Sequence, residues 1–216
     1  MEVEEHPIKI FYHIFAAFNR TWERIVYSQM TKLLYSGLLK KCVACYITVT
    51  GPEAELCTEI VKRYPSTTVI CDPNNQTAER VTLLDIHNKV NDNDYILYIH
   101  SKGVTKENFE EIIRINDWRN IMEWRLIHQH EKCLELLKEY DTIGINKMSH
   151  PHPPHYSGNF WWARGSHYQK LPRRIGRNYL DPERYILSVD CNSFSIYNTA
   201  TNHYNNRYPM ELYINN

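Results

Sequence analysis

Nine consecutive residues, Tyr156-Ser157-Gly158-Asn159-Phe160-Trp161-Trp162-Ala163-Arg164, set two adjacent tryptophans among small polar residues, directly after a loop of histidines and prolines. Trp and Tyr rings offer flat apolar faces with a polar edge. That matches the C–H face and hydroxyl rim of a pyranose, and Ser157 and Asn159 can hydrogen-bond hydroxyls. On this reading Trp161 and Trp162 form a sugar wall, with Ser157, Gly158 and Asn159 beside it. The same two aromatics next to a glycine also suit the buried end of a strand. A second group, His100-Ser101-Lys102-Gly103, brings a titratable imidazole, a hydroxyl, a cation and a glycine that lets backbone approach a ligand, together suited to a diphosphate. A strand-end histidine followed by a solvated lysine has the same composition.

Three further patterns carry less. Asp92-Asn93-Asp94 spells the Asp-x-Asp used to hold Mn²⁺ or Mg²⁺ through carboxylate oxygens. It precedes the run Tyr95 to His100, and a strand of that length rises roughly 20 Å, so it belongs at the sheet edge away from a ligand crevice, as an Asp/Asn turn. Cys42-x-x-Cys45 has no second cysteine pair to complete a zinc site. His150, His152 and His155 sit on a proline-stiffened loop that could present imidazoles to phosphate, sugar or metal, or simply remain solvated.

The elements that must position these groups alternate. Lys9 to Phe15 reads as a strand, Thr21 to Leu39 as a helix, Val43 to Val49 as a strand stopped by Gly51-Pro52, and Glu53 to Arg63 as a helix. Thr67 to Cys71, Thr77 to Val90 and Tyr95 to His100 continue as strand, helix and strand. Four such alternations imply an α/β fold with a largely parallel central sheet flanked by helices. After a polar connection, Asp117 to Tyr140 reads as one long helix, Thr142 to Asn146 as a fifth strand and Gly158 to Ala163 as a sixth, before a loop-rich remainder. No repeat or linker divides the chain, so 1–216 is expected to be one domain. In an open α/β sheet ligands bind beyond the carboxyl ends of the strands, which favours His100 to Gly103 over Asp92 to Asp94.

The totals bound the function. The 216 residues suffice for a core without disulfides or metal. Lys plus Arg and Asp plus Glu both number 25, so there is no global field to recruit nucleic acid or an anionic membrane, although a local cationic pocket is allowed. The acidic start, Met1-Glu2-Val3-Glu4-Glu5-His6-Pro7, lacks an apolar leader, and no run approaches the roughly 20 apolar residues of a membrane span. Six scattered cysteines, several inside apolar runs, point to a reducing, cytoplasmic home. No glycine-rich phosphate loop follows the first strand, which argues against a nucleotide hydrolase or dinucleotide oxidoreductase.

Four strings together, Phe11-Tyr12-His13-Ile14-Phe15-Ala16, Asp94 to Val104, Asp117-Trp118-Arg119-Asn120-Ile121-Met122-Glu123 and His155 to Ala163, resemble a family of glycosyltransferase-like proteins of large DNA viruses and bacteria, including the amino-terminal domain of a chlorovirus multi-domain enzyme. The resemblance runs from about residue 8 to Tyr208. It implies a GT-A-like (Rossmann-like) fold, with a nucleotide-sugar-binding half at about 8–104 and an acceptor-binding half at about 105–216, and a nucleotide-sugar donor and glycan acceptor as partners. It also implies that Tyr12, His13 and the segment Ala78 to Leu83, with Glu79 and Thr82, border the nucleotide. His100, Lys102 and Gly103 then stand where many such enzymes carry Asp-x-Asp, so a Mn²⁺ or Mg²⁺ cofactor either is replaced by these cations or takes another carboxylate. Arg119, read as opening a helix, becomes a phosphate or acceptor contact. A base for the acceptor hydroxyl would come from Glu183, Asp181 or Asp190, with Glu183 first, although Asp181-Pro182-Glu183 also reads as an ordinary helix start. A degenerate domain that binds nucleotide sugar or carbohydrate without turnover fits the missing Asp-x-Asp.

Overall fold

A computed structural model describes residues 6–75 and 77–214; the acidic start from Met1 to Glu5 lies outside the described residues. Its first half alternates as the sequence requires: β1 (Ile8–Phe15), α1 (Thr21–Tyr35), α2 (Leu38–Lys41), β2 (Ala44–Thr50), α3 (Ala54–Val61), β3 (Thr67–Asp72), α4 (Arg80–Ile86) and β4 (Tyr95–His100). The strands are mutually parallel, with β2 and β4 flanking β1 and β3 outside β2. Both faces of β1 are covered: Ile10, Tyr12 and Ile14 pack with the residues of α1 and α3, while Phe11 packs with Leu83 and Ile86 of α4. This two-sided burial is why the strand reads as an unbroken apolar run.

The second half carries α5 (Phe109–Glu123), a π-helical turn at Trp124–His128, α6 (His130–Leu136), β5 (Thr142–Ile145), the short hairpin strands β6 (Lys147–Met148) and β7 (His155–Tyr156), β8 (Trp161–Arg164), α7 (Gly165–Tyr168), α8 (Asp181–Tyr185) and β9 (Ser193–Tyr197). Strand β8 inserts antiparallel between β4 and β5, and β9 pairs parallel with β5, giving a seven-stranded sheet ordered β3-β2-β1-β4-β8-β5-β9.

The expected helix over 117–140 is corrected. It begins eight residues earlier, where the Asn108 side chain accepts from the Glu111 N–H at 3.1 Å and Glu110 and Glu111 fill the first turn. A π-helical turn then interrupts it. Helix α5 buries Asp117, Arg119 and Glu123 beside Ile115, Trp118, Ile121 and Met122, so charged residues occupy its inner face and blur the apolar period.

Candidate functional site

The chain runs outward from β1 to β2 and β3, then crosses back to β4 on the other side of β1. The crevice between β1 and β4 is therefore the point where strand order reverses, and His13 and His100 are register partners at its floor. Residues from four other segments close over it: Glu79 and Arg80 at the start of α4, the Ser101 to Lys106 turn, the Gly158-Asn159 turn before β8, and the start of α8.

Glu79 organises the floor. Its Oε2 accepts from Tyr98 Oη at 2.8 Å and from Asn159 Nδ2 at 2.6 Å, and its Oε1 lies 3.6 Å from His100 Nδ1. Burial alone would raise this carboxyl; His100, His13 and the hydrogen bonds from Tyr98 and Asn159 reverse the effect and hold it below the usual range. His100 Nε2 is 3.0 Å from the Gly158 carbonyl oxygen, which can only accept, so Nε2 carries a proton. Burial lowers the His100 pKa, and the Glu79 charge offsets only part of that. His13 is 3% exposed with Nδ1 2.9 Å from Thr82 Oγ1, and burial holds it at about 4, so the ring is neutral at pH 7.

Above this floor stands Lys102. Its Nζ lies 4.1 Å from the centre of the Trp118 ring, and neither hydrogen bond nor ion pair engages it among the described residues. Burial lowers its pKa, while Glu183 and Glu79 pull it back up. The turn that carries it is fixed from behind: the Lys102 carbonyl accepts from Arg119 Nη1 at 2.8 Å, and the His100 carbonyl accepts from Gln29 Nε2 at 3.2 Å. Gly103 sits at φ +96°, where a Cβ would also come within 2.8 Å of Ile115 Cγ2. Glu183 Oε1 accepts from the Gly158 N–H at 2.7 Å, and its Oε2 makes no hydrogen bond among the described residues. Two cavities meet at Glu79, His100 and Lys102. One, about 220 Å³, extends toward His13, Phe15 and Gly103; the other, about 130 Å³, extends toward Arg80, Asn159 and Glu183.

The structure thus brings His13, Glu79, His100, Lys102, Gly103, Gly158, Asn159 and Glu183 to these cavities, with Thr82 behind His13. It corrects the other expectations. Trp161 and Trp162 are 0% exposed: β8 is an inner strand covered on both faces, Trp161 Nε1 donates to Asn159 Oδ1 and Trp162 Nε1 to the Leu126 carbonyl, so neither ring can form a sugar wall. Tyr12 points to the face opposite His13 and donates its hydroxyl to Gln29. Arg119 lies inside α5, not at its amino end, and its guanidinium holds Asn116, Glu123 and the Lys102 carbonyl, so it supports the turn from behind and lines neither cavity. Ser157 lines neither cavity and donates its N–H to the Asn146 carbonyl. Asp181 caps its own turn by accepting from the Asn178 N–H at 2.8 Å, and exposed Asp190 lies outside both cavities. The Asp92 to Asp94 segment is at the far edge, where Asp94 pairs with Lys9 at 2.7 Å.

Two lining residues had no local signal strong enough to single them out: Tyr179, 94% exposed, and Tyr204, 55% exposed and edge-on to Trp118. A larger cavity, about 490 Å³, opens at the opposite sheet edge near His6 and Tyr95, but there Lys41 and Lys138 are already paired with Glu131 and Glu135.

The donor set does not fit a divalent ion of the kind Asp-x-Asp holds. The strand-end position carries His100 and Lys102, Glu79 Oε2 is taken by two donors, and Glu183 Oε1 is taken by backbone; no group of three or more His, Cys, Asp or Glu side chains converges among the described residues.

Sheet order, the antiparallel insertion of β8 and the crevice at the β1/β4 reversal define a GT-A-like, Rossmann-like α/β fold. Residues 11–179 match the family described as a domain of unknown function (DUF8361), and the chain belongs to that family. Among solved structures, HddC from Yersinia pseudotuberculosis superposes with a TM-score of 0.53 at 8% identity, covering 90% of this chain and 91% of that one. A 4-diphosphocytidyl-2C-methyl-D-erythritol synthase from Anaerococcus prevotii gives 0.48 at 10% identity over 97% and 95% of the two chains. Rv0371C of Mycobacterium tuberculosis H37Rv, in complex with manganese, gives 0.48 at 8% identity over 91% and 90%. At such identities the likeness concerns the fold alone. No curated protein sequence matches the chain.

Proposed function

We propose that the protein transfers a sugar from a nucleotide-sugar donor to a hydroxyl of a glycan acceptor, in viral or surface glycan synthesis. The observation that carries this reading is the Lys102 ammonium, half-buried against Trp118, paired with no carboxylate among the described residues, and presented at the strand-order reversal of a GT-A-like sheet. A partly dehydrated cation of this kind favours an anion, because the arriving charge relieves the cost of its burial. The donor diphosphate would rest against Lys102, with the nucleoside toward His13 and Gly103. The acceptor oxygen attacks the anomeric carbon, the bond from that carbon to the diphosphate oxygen breaks with its electron pair going to the diphosphate, and Glu183 Oε2 takes the acceptor proton. Asn159 and Glu79 hold the floor rigid beneath the sugar. Lys102 supplies the leaving-group compensation that a metal would supply elsewhere, so no step is assigned to Mn²⁺ or Mg²⁺. Among the described residues no helix is long and apolar enough to cross a membrane, and all six cysteines are free, which suits work in a reducing cytoplasm.

One observation favours a second reading, a domain that binds nucleotide sugar without turnover: Glu183 also has a structural task, accepting the Gly158 N–H. Nucleotide release from UDP-, GDP- and dTDP-sugars, with Mn²⁺, Mg²⁺ or EDTA and a panel of glycan acceptors, separates the two. Release from one donor, persisting in EDTA and suppressed by both Glu183→Gln and Lys102→Ala, is the expected result. Saturable donor binding without release, unchanged in Glu183→Gln, would establish the binding domain instead. Absence of donor binding would overturn both.

A further inference from the structure

Several cations in this protein pair with carboxylates: Lys9 with Asp94, Lys32 with Glu123, Lys89 with Asp85, Lys106 with Glu111 and Arg207 with Asp117. The segment between α7 and α8 gathers four cations without such a pair close together in sequence. Lys170, Arg173, Arg174 and Arg177 are all exposed, and none has a side-chain partner among the described residues. The acids that follow offer no neutralisation by contact, since Asp181 and Glu183 each accept from a backbone N–H, of Asn178 and Gly158.

The path of this segment gives the charges a direction. Near its start the Pro172 carbonyl accepts from Tyr185 Oη at 2.6 Å, and Tyr185 Oη lies 2.7 Å from Nε2 of His87 at the carboxyl end of α4. Farther along, Arg80 at the amino end of α4 donates Nε to the Gly176 carbonyl at 2.7 Å and Nη2 to the Asn178 carbonyl at 2.6 Å. The strap therefore runs the length of α4, about 10 Å at 1.5 Å per residue, and arrives at Tyr179, Leu180, Pro182 and Glu183 on the rim of the cavity. It is pinned at both ends, so its free guanidinium groups are held along a track and not on a loose tail.

We propose that this strap is the binding track for a polyanionic glycan acceptor, one bearing carboxylate or phosphate groups along its chain, which it leads to the Glu183 side of the site. The inference rests on the transferase reading for the acceptor's role, while the track itself stands on the strap. A chain of repeating negative charge matches cations spaced along a fixed line, and Arg favours such anions through paired N–H donors. A single donor diphosphate would use only the end nearest Lys102. A nucleic acid strand is disfavoured, since it would need stacking platforms along the track, and Tyr179 is the one exposed aromatic in the segment.

The test uses the full chain and the triple variant Arg173→Glu/Arg174→Glu/Arg177→Glu, whose side chains are exposed and make no hydrogen bond or ion pair among the described residues. Binding of polygalacturonate, a phosphorylated dextran, uncharged dextran and single-stranded poly(dT) is measured at two salt concentrations, beside donor nucleotide-sugar binding. The expected result is salt-sensitive binding of both anionic glycans, weakened about tenfold or more in the variant, no binding of uncharged dextran, and unchanged donor affinity. Equal binding of the glycans by both proteins, binding to neither, or tighter binding of poly(dT) would overturn the proposal. Loss of donor affinity in the variant would also overturn it, by assigning the strap to the donor. If no donor binds yet the anionic glycans still bind through the strap, the track stands and the transferase reading fails.

Discussion

Replacing His13 with asparagine should flatten the acid limb of the stability curve. Burial holds this ring at about 4 against an ordinary value of 6.5, so the fold accepts only its neutral form over most of the working range. As pH falls through 6.5 the unfolded chain takes up a proton here and the folded chain does not. Between 6.5 and about 4 the unfolded state therefore binds more protons, and stability falls as pH falls. Above 6.5 both states carry the neutral ring and the slope from this residue vanishes. At about 1.4 kcal/mol per pH unit the window is worth roughly 3 kcal/mol. His87, His100, His128, His130, His167 and His203 are also held low by burial, so the wild-type slope contains more than one ring. A difference isolates His13, because an asparagine amide can keep the bond to Thr82 without titrating. Urea unfolding followed by circular dichroism at stepped pH should show the wild-type advantage over His13→Asn shrinking by roughly 3 kcal/mol from pH 7 to pH 4. Parallel curves through that window would refute the buried neutral histidine.

Other perturbations separate site from scaffold. Lys102→Met should weaken nucleotide-sugar binding by about 2 kcal/mol or more, roughly 30-fold, by calorimetry, with little loss of stability. Glu123→Ala should cost about 3–5 kcal/mol in chemical denaturation, because it strips the partner from Arg119 and Lys32 at once. Trp162→Ala should cost a similar 3–5 kcal/mol as a core cavity, while the folded fraction keeps its donor affinity; a selective affinity loss would restore the sugar-wall reading. Gly158→Ala should destabilise by more than about 1 kcal/mol, since φ is +93° and the new Cβ would approach Met122 Sδ to 2.5 Å. The same substitution should disturb both His100 and Glu183, which this backbone unit holds.

The order β1 to β4 was legible because β1, β2 and β4 are apolar runs largely buried in the sheet, β3 is a short β-branched run at its edge, and the strands end at clear punctuation, such as Gly51-Pro52. From that order alone the strand-end rule placed His100 and Lys102 at the crevice and Asp92 to Asp94 at the far edge. The second half was harder for physical reasons. Buried charges on α5 conceal its inner face, and a two-residue hairpin such as β6–β7 has too few positions to show a period. The tryptophans misled because residue type suggests a ring's chemistry and not its exposure; only the pairing of β8 with both β4 and β5 shows that both rings are enclosed. Tyr179 and Tyr204 reach the cavity from loops whose paths depend on contacts far apart in sequence, such as Arg80 to Asn178 and Arg114 to the Tyr204 carbonyl.

The buried network on α1 and α5 follows from the demand placed on Lys102. A lysine on a surface turn has four rotatable bonds and would swing its ammonium into water, where it is more stable than in an apolar pocket. Stacking over Trp118 returns only about 1–2 kcal/mol of that difference, so the backbone itself must be fixed to limit where Nζ can go. Gln29 holds the His100 carbonyl, Arg119 holds the Lys102 carbonyl, and Glu123 holds Arg119 while Lys32 and Asn120 complete the charge balance behind it. This explains why α5 carries Arg119 and Glu123 on its core side at a cost that apolar residues would avoid. The stability given up there keeps one ammonium partly dehydrated, and an anion that reaches Lys102 gains from the restored compensation as well as from the contact.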